Sequence, residues 1–119
     1  VNLKEEDYKY LLLNPIPIEM CPTSNIYTRS INNYASHPFK IIRKRFKNKY
    51  QSEYPMLFCT DDYGVFQTDL ITEWQNMCNA HYLTKYDVKN ITMNAIHTIF
   101  ASDTIKVKLR ENMEKEWKI

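Results

Sequence analysis

Two adjacent carboxylates, Asp61 and Asp62, follow the apolar run Met56-Leu57-Phe58-Cys59 and precede Gly64, the only glycine of the chain. An apolar run that ends on acids reads as a buried strand delivering polar side chains to the rim of a sheet. In barrels of alternating strands and helices, the carboxyl ends of the strands carry the chemistry. Neighbouring carboxylates there can point different ways, so that one binds a metal while the other holds a substrate. Helix caps and Asx-turns use the same residues, so the pair alone does not decide.

Other reactive side chains are sparse. Cys21, Cys59 and Cys78 are odd in number and widely spaced, which gives neither a disulfide framework nor a CxxC zinc site. Cys21 and Cys59 fall at the ends of predicted buried strands and read as small apolar residues in a reducing, cytosolic compartment. His37 belongs to a His-Pro junction and reads as a structural cap contact. His81 and His97 lie in predicted helices, where surface or core roles outweigh ligation. Ser24 and Asn25 leave a strand at the same rim as Asp61; they line a pocket or close an Asx/ST turn, and the turn is the favoured reading.

The elements that position these residues follow a strand–helix–strand–helix pattern. Residues 3–14 read as the end of a helix stopped at Asn14-Pro15. Ile16–Met20 is a short strand, and residues 21–35, rich in Pro, Ser, Thr and Asn, form a long loop. Ser36-His37-Pro38 resembles a cap and early-helix proline for a helix running to about Asn48. In it KIIRKRFKNK turns Ile41, Ile42 and Phe46 inward and its bases outward, as a solvated amphipathic helix; phosphate steering is the sharper alternative.

Tyr54–Thr60 is the second strand. Thr68 caps a helix to about Tyr82 with Leu70, Ile71, Trp74, Met77 and Cys78 at 3–4 spacing. Thr84-x-x-Asp87 caps the next, with Val88, Ile91, Ile96, Ile99 and Phe100 as its apolar set. A last helix covers about Asp103–Glu114. Parallel strands joined by helices imply an α/β sheet covered on both sides.

Sixteen basic and 14 acidic residues give a net charge of +2, too balanced for a dedicated nucleic-acid binder. No apolar run approaches the roughly 18–20 residues of a membrane span, so a soluble chain without a membrane partner is expected. The polynucleotide deaminase layout, H-x-E with P-C-x-x-C, is absent. A closed barrel needs about 250 residues against 119 here, and the chain opens on Val1 without a targeting signature. The expectation is a fragment of a longer protein.

Ile18-Glu-Met-Cys-Pro-Thr-Ser-Asn25, Tyr34-Ala-Ser-His-Pro38, Thr60-Asp-Asp-Tyr-Gly-Val-Phe66 and Ile99-Phe-Ala-Ser-Asp103 follow one another in an order that resembles the C-terminal part of the adenosine/AMP deaminase family. These are zinc-dependent TIM barrels, and the spelling is closest to the adenosine deaminase-like branch that acts on N6-methyl-AMP. The resemblance covers roughly residues 8–110. It implies that the whole chain, 1–119, is the C-terminal portion of one (β/α)8 barrel domain, its two strands being the last two. The segments from Thr84 onward would then be terminal helices outside the barrel.

The resemblance also implies that Asp61 is a Zn2+ ligand and that Asp62 hydrogen-bonds the purine. The expected activity is hydrolytic deamination at purine C6, N6-methyl-AMP going to IMP and methylamine, in a protein that is monomeric when complete. The alternative substrate is adenosine, and the alternative of another class is a non-enzymatic basic α/β binding module. The family's His-x-His, His-Ala-Gly-Glu and Gly-His-Gly motifs are absent, so the chain alone is expected to be inactive, to hold no tight zinc, and to leave apolar strand positions without partners.

Overall fold

A computed structural model of the chain describes residues 3–62, 64 and 68–117. Its centre is a pair of parallel strands, β1 (Ile18–Met20) and β2 (Met56–Phe58), in the register Ile18↔Met56, Glu19↔Leu57, Met20↔Phe58. The Ile18 amide donates to Pro55 O at 3.0 Å and the Cys59 amide to Met20 O at 2.7 Å, so the pairing runs one residue beyond β2 at each end. Proline explains the late start of β1: Pro17 has no amide hydrogen to give to a ladder. Both strands are shorter than the sequence predicts.

Among the described residues the chain has six helices, α1 (Glu5–Leu13), α2 (Pro22–Tyr27), α3 (Phe39–Tyr50), α4 (Leu70–His81), α5 (Lys85–Ala95) and α6 (Asp103–Glu116), with 3-10 turns at Tyr34–Ser36 and Ile96–Thr98. Glu5, Glu6 and Asp7 fill the first turn of α1, where carboxylates oppose the positive end of the helix dipole. The core joins Tyr8, Met20, Phe39, Ile42, Phe46, Tyr54, Met56, Phe58, Met77 and Ile91. Phe58 packs edge-on against Trp74 at 4.6 Å and tilted against Phe39 at 5.2 Å. Met20, Met56 and Phe58 are therefore covered by helices, contrary to the expectation that the strand side chains lack partners. Ile16, before β1, is exposed.

Three expectations are corrected. Residues 22–27 are helical rather than loop: Pro22 suits the first helical position, and the Thr23 amide of that first turn is satisfied by Glu73, 50 residues away. Ser36 does not cap α3; it closes the preceding turn with Asn33, while His37 Nδ1 accepts the Phe39 amide at 3.1 Å. Asp69, not Thr68, caps α4, accepting the Thr72 amide at 2.7 Å. In addition, α5 packs on β2 and sends Ile91 into the core.

The helix faces also differ from the pattern. Ile41 of α3 is exposed while Phe39, Ile42 and Phe46 are buried, and α4 buries Glu73, Met77 and His81 while Leu70 and Ile71 stay exposed. Nor do all the bases of α3 point to water. Arg43 is nearly buried between Glu53 and Asp87, and Arg45 pairs with Glu5.

Candidate functional site

The two strands end side by side, and the segments leaving their carboxyl ends form the candidate site. After β1, Cys21 leads into α2. After β2, Cys59 and Thr60 lead to Asp61, whose backbone lies in the left-handed region at φ 59°. Among non-glycine residues Asp is one of the few that visits this region routinely. The turn off the sheet is made by Asp61 itself; Gly64 has no positive φ, and a Cβ added there would meet Asp62 Oδ1 at an ordinary 3.8 Å. Both Asp61 and Asp62 are exposed at the rim.

The structure brings two of the candidate residues together. Ser24, buried in the first turn of α2, donates its hydroxyl to Asp61 Oδ2 at 3.0 Å across 37 residues of sequence. Asn25 turns the other way: its Oδ1 accepts from His37 Nε2 at 3.2 Å. Neither side chain closes the local turn favoured by the sequence. His37 is thus a structural contact, donating from Nε2 and accepting at Nδ1. Burial, then the nearby His81, lowers its pKa to about 4.

His81 donates from Nε2 to Tyr34 O at 2.8 Å and stacks edge-on against Phe39. His97 is exposed and accepts from Arg110. All three cysteines are free and half-buried, and burial raises each thiol, Cys21 to about 11. They are protonated thiols near neutrality, which fits the core role and not a nucleophile.

One residue of the site escapes the sequence pattern. Glu73 of α4 has no exposed surface, yet its carboxylate accepts the Thr23 amide at 3.1 Å and the Thr68 hydroxyl at 2.8 Å. Thr23 Oγ1 in turn meets Tyr34 OH at 2.8 Å. The available signal is spacing: Glu73 stands four residues before Met77 and eight before His81, an acid on the line that proves to be the buried face.

The motif residues Tyr63, Val65 and Phe66 lie outside the described residues. Among the described residues no three His, Cys, Asp or Glu converge as a metal-binding group. Asp61 fits one position of a divalent cation site: a neutral hydroxyl engages one oxygen and leaves the carboxylate charge uncancelled. A hydrolytic zinc site takes three protein ligands, so this residue suits a share of such a site and not the whole.

Parallel strands covered by helices, with acids at the carboxyl rim, define a piece of a TIM-type α/β barrel. The adenosine deaminase family model matches residues 4–116, and the chain belongs to that family. It is 36% identical over 107 residues to the N6-mAMP deaminase of Arabidopsis thaliana, covering 90% of this chain and 28% of that protein. It is 30% identical to the adenosine deaminase of Clostridium acetobutylicum over 92% of this chain and 31% of that one. Arabidopsis ADAL complexed with IMP superposes with a TM-score of 0.83 at 34% identity, covering 95% of this chain and 31% of that chain. The chain thus spans less than a third of the length of these relatives.

Proposed function

We propose that this chain supplies the C-terminal part of a zinc-dependent purine C6 deaminase barrel, with N6-methyl-AMP as substrate and IMP and methylamine as products. The observation that carries the reading is Asp61, an exposed rim carboxylate in a left-handed turn with one oxygen engaged by Ser24. Membership of the adenosine deaminase family supports it, and relatives named as N6-methyl-AMP deaminases support the substrate. The remaining ligands and the proton-carrying glutamate would come from the rest of the barrel.

In this reading Asp61 contributes one carboxylate oxygen to the metal site. Bound zinc supplies hydroxide near neutral pH for attack on an electron-poor carbon. Asp62 hydrogen-bonds the purine ring and fixes C6 against the rim, so that hydroxide adds at C6, a proton is delivered to the ring, and methylamine then leaves as the C6–N bond breaks. The small ligand is a purine nucleotide, without a nucleic-acid or membrane partner, in a cytosolic protein that is a monomer when complete. Among the described residues no helix is long and apolar enough to cross a membrane.

Adenosine is the second reading, favoured by the Clostridium relative. The binding-module alternative rests on the basic helix, and the ion pairs of Arg43, Arg45 and Lys47 leave it less free charge than the sequence suggests. The test is made on the complete barrel polypeptide carrying this chain. Zinc content near one per protein, lost in Asp61→Ala, together with faster turnover of N6-methyl-AMP than of adenosine, is expected. Full zinc content in Asp61→Ala defeats the assignment, and a wide preference for adenosine selects the second reading.

A further inference from the structure

We infer that Ser24 is a positioning residue for Asp61, and that buried Glu73 holds the helical turn carrying Ser24 against the start of α4. The inference rests on the proposed metal role of Asp61 and adds to it the residues that set the carboxylate.

Asp61 is exposed on a turn, a setting in which a carboxylate ordinarily samples several rotamers. The side chain that anchors it is unlike its surroundings: Ser24 is 6% exposed, and its hydroxyl reaches Asp61 Oδ2 at 3.0 Å. A neutral donor fixes one oxygen without neutralising the charge, where a lysine or arginine would compete with a cation for it. Carboxylates that bind metals are commonly themselves hydrogen-bonded, and these outer partners tune affinity.

Ser24 is held in turn. Thr23, its neighbour, gives its amide to Glu73 Oε2, while Glu73 Oε1 takes the hydroxyl of Thr68. Thr68, just before the cap of α4, is 5% exposed. Asp61 and Thr68 are therefore both tied to the first turn of α2, Asp61 through Ser24 and Thr68 through Glu73 and Thr23. A carboxylate buried without exposed surface and shared between two hydrogen-bond donors fits this bracing role.

The test uses the complete barrel polypeptide and zinc alone as the probe, with affinity read by competition against a chromogenic chelator. Ser24→Ala should weaken zinc binding by about 10–100-fold. Ser24→Thr, which keeps the hydroxyl, should restore it to within about threefold of the parent. Ser24→Cys keeps nearly the volume but is a weak donor, and should behave like alanine if the hydrogen bond and not the packing matters. Parent-like affinity in folded Ser24→Ala or Ser24→Cys overturns the inference. If Asp61→Ala loses zinc in the same series, the proposed function survives that result; if it does not, both fall.

Discussion

Arg43 reaches two carboxylates with one guanidinium, Glu53 Oε1 at 2.7 Å and Asp87 Oδ1 at 2.8 Å from the same nitrogen, while its Nε donates to Glu53 Oε2 at 2.9 Å. This joins α3 to the segment before β2 and to the first turn of α5. Arg43→Met should cost on the order of 3 kcal/mol, since the Glu53 side chain is 9% exposed and would keep only Lys47 at 3.1 Å. Arg43→Lys should recover only part of that, because an ammonium cannot form the two-pronged contact. Denaturant midpoints of the complete barrel would check both, and an unchanged midpoint in Arg43→Met would refute the claim.

Glu73 permits a sharper comparison. Glu73→Ala leaves the Thr23 amide and the Thr68 hydroxyl without their acceptor in a closed environment. At about 1–3 kcal/mol per orphaned group, destabilisation near 3 kcal/mol is expected, plus a cavity contribution. Glu73→Gln can still accept from Thr23 through its oxygen and donate to Thr68 through its amide, so it should lose much less. Equal losses in the two variants, measured by chemical unfolding, would mean that the side chain matters for volume and not for its hydrogen bonds.

What the sequence made legible was local. The Met56–Phe58 run ending on acids located a strand and its rim, and Thr84 with Asp87 located the start of α5, because each signal lies within a few residues of the feature it marks. The capping box closes as the spacing predicts, with Thr84 N donating to Asp87 Oδ2 at 2.8 Å and Asp87 N to Thr84 Oγ1 at 3.2 Å. What stayed hidden depended on distant partners. The helical turn at Pro22–Tyr27 leans on Glu73, and Ser24 turns to Asp61 and not to its own backbone. Arg43 looked like any other solvated base of its helix because its acids stand 10 and 44 residues further along the chain. In α4 the apolar residues Leu70 and Ile71 outweighed Glu73 in the pattern, although the acid faces the core.

Acid should loosen the fold through its histidines. Burial, followed by the charge of His81, sets His37 at about 4, against an ordinary value near 6.5, and burial also lowers His81. Groups kept neutral in this way favour the folded state fully above pH 6.5 and lose that contribution as pH falls from 6.5 through 4, where the unfolded chain binds protons first. Melting temperature should therefore decline across this window. His37→Gln, which retains hydrogen-bonding capacity but does not titrate, should flatten the decline. Asp87 works at lower pH: burial pushes its carboxyl up, but Thr84 and Arg43 outweigh this and hold it at about 2. Its contribution persists until pH drops from about 4 towards 2. A melting temperature constant from pH 7 to 4 would contradict the histidine assignment.

The two acids of the rim should separate by function in the complete barrel. Asp62 follows Asp61 directly, but the Ser24 hydrogen bond is made to Asp61. Asp62→Asn should therefore leave zinc content unchanged. It should lower kcat/KM by roughly 10²–10³, the scale of losing one preorganised polar contact to a developing tetrahedral centre, because a contact that strengthens as C6 becomes tetrahedral acts mainly on the transition state. Most of the loss should appear in kcat, with KM for N6-methyl-AMP changing little. Metal analysis and steady-state kinetics on the same preparations would decide. Zinc lost in the Asp62 variant but retained in Asp61→Ala would exchange the two roles, while unimpaired turnover in Asp62→Asn would remove Asp62 from the substrate site.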